Sequence, residues 1–102
     1  MLESTSKAIV YGYFTTTKVN KDGEERGLIC INLIKPKSHE TATDIGWETT
    51  YYWTNYSDEL FKYLKTTLIK QSDITIRLVQ DYKNSNNYTS QLVKINDFVI
   101  KQ

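Results

Sequence analysis

The 102-residue chain contains one cysteine, one proline, one histidine, one methionine and four glycines. With Cys30 alone there is no intramolecular disulfide, no thiolate set for zinc and no resolving thiol for redox chemistry. Cys30 stands inside Leu28-Ile29-Cys30-Ile31, where a small buried hydrophobe is expected. His39 has Glu40 and Asp44 for neighbours, too few ligands for a metal site. No G-x-S-x-G element or phosphate-binding glycine loop is present and no Cys-His pairing is close enough to argue for a nucleophile, so no catalytic residue, metal or cofactor is expected and the chain reads as a non-enzyme. No apolar run approaches 18 residues, and Met1–Lys7 has neither the basic nor the apolar region of a secretory leader. A cytoplasmic protein with no membrane partner is the expectation. The two triplets Asn55-Tyr56-Ser57 and Asn87-Tyr88-Thr89 would matter only to a secreted chain.

Charge of one sign is also lacking. Thirteen basic against twelve acidic residues exclude binding to nucleic acid by net charge alone. The distribution is uneven, because residues 1–59 carry a net −3 and residues 60–102 a net +4. What the chain has in surplus is aromatic: thirteen Phe, Trp and Tyr, eight of them Tyr, are more flat rings than one small core needs. The abundance of Thr, Ile, Lys, Asn and Tyr beside scarce Ala and Pro suggests an AT-rich genome.

The length fits one domain, 1–102. Lys7–Phe14, running on through Thr17, has strand composition, and Gly12 marks a bulge or bend. A turn at Asn20–Gly23 joins it to a second strand, Gly27–Lys35, which Pro36 stops. Residues 37–46 form a polar connection, and Trp47–Tyr56 is a third strand holding five of the thirteen aromatics. Ser57 then caps a helix of about three turns whose apolar face is Leu60, Phe61, Leu64 and Leu68, with Asp58 and Glu59 at its positive end. Ile74–Gln80 and Tyr88–Ile100 are the last two strands, joined by a loop over residues 83–87. The order β-β-β-α-β-β predicts a mainly β domain: a five-stranded OB-fold-like barrel with one helix between strands three and four.

In this order the chain resembles the OB-fold single-stranded DNA-binding proteins of bacteria, phages and plasmids. Ser57-Asp58-Glu59-Leu60-Phe61-Lys62-Tyr63-Leu64 is similar to their helix, Ile74–Tyr82 to their fourth strand and Gln91–Val99 to their closing strand. The glycine usual after that helix is missing around Gln71–Asp73, as is the Gly- and Pro-rich linker with an acidic tip by which housekeeping members recruit partners. The resemblance implies a minimal version that binds single-stranded DNA with little sequence preference, RNA being the other nucleic-acid candidate. Its setting would be replication, recombination or conjugation in a mobile element such as a phage or plasmid. It places the binding face on strands two and three, flanked by residues 17–26 and 83–87.

Such a face needs rings for stacking and cations for phosphates. With Ala8, Val10 and Phe14 assigned inward on the parity of Gly12, Tyr11 and Tyr13 turn outward. In the third strand Trp47, Thr49, Tyr51 and Trp53 share one face and Glu48, Thr50, Tyr52 and Thr54 the other; the more polar set is expected outside, exposing Tyr52. The expected nucleic-acid contacts are Tyr11, Tyr13, Lys35, Tyr52, Trp53, Arg77, Lys83 and Lys94, with Lys18, Lys21 and Arg26 as further cations. The competing expectation is a module that inhibits or recruits a host protein, since Tyr and Trp also dominate protein interfaces. An exposed strand could equally serve a homo-oligomer.

Overall fold

The computed structural model describes residues 2–81 and 84–101, and within them the side chains of all but 81 and 84–87. The described residues form a mainly β domain in chain order: β1 (Leu2–Val19), β2 (Glu25–Pro36), β3 (Trp47–Asn55), α1 (Asp58–Thr67), β4 (Gln71–Asp81), β5 (Asn84–Ile95) and β6 (Phe98–Val99). All pairings between these strands are antiparallel, and the sheet order is β3-β2-β1-β4-β5-β6.

The 18-residue β1 organises the sheet. Its first half, Leu2–Ile9, pairs with β4, and its second half, Ile9–Val19, pairs with β2. The bend expected at Gly12 is a β-bulge between Val10 and Gly12, with Tyr11 as the extra residue. The curled sheet brings β3 and β5 within 8 Å between Cα atoms.

The expected five-stranded barrel is corrected in two respects. The described ladder ends at β3 on one side and β6 on the other, so the sheet is not closed into a barrel. The strand expected over Tyr88–Ile100 breaks at Asn96, whose φ of +51° turns the chain into the two-residue β6. Asn96 also secures that turn: its carboxamide oxygen accepts from the Asp73 backbone N–H at 2.9 Å and its nitrogen donates to the Tyr63 hydroxyl at 3.2 Å.

One face of the sheet carries the core. Val10, Ile29, Ile31, Leu33 and Ile95 are fully covered there, and Leu60 and Leu64 of α1 close it. The helix starts as the sequence dictates. Ser57 is extended, its hydroxyl accepts from the Leu60 N–H at 3.1 Å, and Asp58 and Glu59 fill the first turn. It ends earlier than the apolar stripe suggested. Leu68 is already extended, and the Ile69 N–H bonds the Val10 carbonyl at 2.9 Å. Ile69 takes a φ of +60°, the left-handed conformation that glycine would accept without strain.

Thr54 is a flaw in this core. It lies opposite Ile29, is 5% exposed, and its hydroxyl has no hydrogen-bond partner among the described residues. Thr54→Val removes that desolvated group at nearly equal volume and is expected to stabilise the fold by about 1 kcal/mol. Urea denaturation monitored by circular dichroism checks it. A loss of stability would mean the hydroxyl is satisfied.

Candidate nucleic-acid interface

Residues directly opposite one another in an antiparallel ladder share a face, so the register sorts every side chain of β1, β2 and β3. Tyr13, Ile31 and Tyr52 form one row on the core side. On the outer side, Phe14–Cys30–Trp53 form a row, Gly12–Asn32–Tyr51 the next, and Pro36–Trp47 stand further along. Lys18–Arg26 lie on the same side beyond Thr16–Leu28–Asn55.

The outer face is therefore an aromatic platform. Phe14 is 48% exposed, Trp53 47% and Tyr51 62%, with Trp47 and Tyr11 also exposed. Phe14 and Trp53 meet edge to face at 5.6 Å between ring centroids. Cys30 lies between them in the ladder and is only 3% exposed despite its outward parity, which the rings on either side account for. Burial pushes the Cys30 thiol above its usual pKa. The expectation of a small buried hydrophobe holds, although Cys30 is buried by this platform and not by the main core.

At the hairpin end, an open groove of about 690 Å³ is lined by Thr16, Lys18, Asn20, Arg26, Leu28 and Trp53 among others. Lys18 and Arg26 are exposed and form no ion pair among the described residues. The hairpin turn holds its shape because the Asn20 side-chain oxygen accepts from the Asp22 and Glu24 N–H groups, both at 2.9 Å. Gly23, at φ +80°, supplies the left-handed residue of that turn.

The expected contacts divide. Trp53 is on the platform and exposed, and Tyr11, the bulge residue without a ladder partner, is exposed. The outward placement expected of Tyr13 and Tyr52 is corrected: both are half-buried against the core, Tyr13 edge-on to Phe61 at 5.4 Å and Tyr52 with its hydroxyl pKa raised by burial. Lys35 pairs with Glu48 on the core side of the ladder. Arg77 is held by Glu3 at 2.9 Å on the β1–β4 half of the sheet, and Lys94 stands opposite Thr75 beside Asp73 and Asp97. Lys83 lies outside the described residues, whereas the rest of the loop expected over residues 83–87 is corrected: β5 already begins at Asn84.

Phe14 is the largest revision. The bulge inserts Tyr11, so the alternation before Gly12 cannot be carried past it, and every later residue of β1 changes side. Tyr13 goes in and Phe14 comes out. Tyr51 and Trp47 follow from the opposite assignment of β3: its apolar set faces out because Tyr52 and Thr54 are needed over Ile31 and Ile29.

Among the described residues no three His, Cys, Asp or Glu side chains come together, and no helix is long and apolar enough to cross a membrane. No known protein family matches the chain, and no curated protein or solved structure matches it.

Proposed function

We propose that the protein binds single-stranded DNA, stacking bases on Phe14, Tyr51, Trp53 and neighbouring rings while Lys18 and Arg26 take the phosphates. One observation carries this reading: a row of uncovered rings on a single sheet face, with two unpaired cations at its end. Base stacking contributes about 1–3 kcal/mol per ring and tolerates any sequence, and a chain with a net charge of +1 must rely on it. The sharing of β1 between two halves of the sheet and the place of the helix between β3 and β4 support the same reading. We place it among accessory replication, recombination or conjugation factors of mobile elements.

Labelled oligo-dT, titrated by anisotropy across a salt series, tests this. Two phosphate-neutralising cations give a slope of log K against log salt of about −1.4, and a duplex of equal length binds much more weakly. Absence of oligo-dT binding at low salt contradicts the proposal and leaves a protein partner as the reading of the same rings. Oligo-dT binding without salt dependence would remove Lys18 and Arg26 from the site.

A further inference from the structure

We propose that Asn32 reads the edge of one stacked base, so that the platform favours thymine or uracil over cytosine; this inference rests on the stacking reading above. Asn32 is at the centre of the outer face, with Gly12 opposite on one side and Tyr51 on the other. Gly12 leaves this row open. A methyl group placed on its Cα would meet no heavy atom within 4 Å. The Phe14–Cys30–Trp53 row lies one step away, about 7 Å at the rise of two strand residues. The gap thus has a half-exposed carboxamide on its floor, a tyrosine ring on one side and the Gly12 backbone on the other. A base stacked on Tyr51 brings its edge over β2, where Asn32 waits.

One weak contact orients the carboxamide. The Cys30 thiol points at the Asn32 side-chain oxygen at 4.0 Å, a weak contact that needs the sulfur protonated. Burial keeps it so by raising the thiol pKa, and the β1 and β3 groups facing it, Phe14 and Trp53, do not titrate. With the oxygen turned toward Cys30, the Asn32 nitrogen remains as a donor with no partner among the described residues. Thymine and uracil present the O4 acceptor to such a donor. Cytosine presents the N4 amino group in its place, so two donors meet and both lose hydration without return.

Oligo-dT, oligo-dU and oligo-dC of one length, titrated by tryptophan fluorescence, separate this from stacking alone, because the pyrimidines differ little in size. Oligo-dT and oligo-dU are expected to bind about threefold to tenfold more tightly than oligo-dC, the worth of one hydrogen bond. Asn32→Leu should level the three affinities. Asn32→Asp, which can only accept, should reverse the order while the added negative charge weakens all three. Melting curves establish that each variant is folded, and the wild-type ratios stand without either variant. Equal binding of oligo-dT and oligo-dC by the wild type overturns the proposal while leaving the stacking platform intact. A preference that survives Asn32→Leu overturns it too, as does oligo-dU binding like oligo-dC, which would mean that the thymine methyl group is sensed. Failure of all three oligomers to bind overturns the stacking reading itself.

Discussion

Trp53→Ala is expected to weaken oligo-dT binding about tenfold to hundredfold while lowering the melting temperature only slightly. The affinity loss follows from the stacking worth of one ring, about 1–3 kcal/mol. The small stability change follows from exposure. Nearly half of the indole is open to solvent, and among the described residues its one close aromatic neighbour is Phe14, an edge-to-face pair worth about 1 kcal/mol. Losing Trp53 also strips one cover from Cys30, so the thiol should react faster with a disulfide reagent in the variant. That reactivity is an internal control, since it reports the loss of the ring without reference to any ligand. Trp53→Phe keeps a stacking face and should recover most of the binding. Unchanged affinity in Trp53→Ala would take the row out of the interface, whereas a large drop in melting temperature would assign Trp53 to stability.

Leu64→Ala should produce the opposite pattern: a stability loss of about 2–5 kcal/mol with unchanged affinity in the molecules that remain folded. Leu64 is fully buried and lies one turn from Leu60, the other large apolar side chain by which α1 is buried on the sheet. A ten-residue helix is marginal in water by itself, so α1 exists because this face is covered. The expected loss is a large part of the 5–15 kcal/mol that holds a domain together, and it opens the core cluster to which Ile31 and Leu33 also belong. Chemical denaturation followed by circular dichroism measures it. A change below about 1 kcal/mol would mean that the sheet folds without its helix. Oligo-dT affinity should not follow, because Phe14, Tyr51 and Trp53 lie on the other face of the sheet.

These two variants mark what could be read in the sequence. The helix could be, because Ser57, the acidic first turn and the Leu60–Leu64 spacing are local signals that act over a few residues. The inward face of β2 could be for the same reason: Ile29, Ile31 and Leu33 alternate without interruption. The platform could not be read in full. Gly12 signalled a bulge, but the parity beyond it depends on which residue is extra, and that is decided by pairing with β2. In β3 the usual preference for polar residues outside failed, because Tyr52 and Thr54 are held over Ile31 and Ile29 by register while Trp47, Tyr51 and Trp53 are left uncovered. The first half of β1 was invisible since Glu3, Ser4, Thr5 and Ser6 have no apolar pattern, and their strand exists through pairing with β4. Arg77 and Lys94 looked like groove cations until Glu3, Asp73 and Asp97 were placed beside them.

Both tryptophans of the chain, Trp47 and Trp53, lie on the outer face of β3, so indole emission reports on the proposed binding surface and on nothing else. Titrating the protein with oligo-dT at low salt while following that emission is the most direct test. Stacking on the platform should quench it in a saturable manner, with the same midpoint as an anisotropy titration of the labelled strand. Absence of binding, or binding seen by anisotropy with unchanged tryptophan emission, would contradict the account and move the site elsewhere on the molecule.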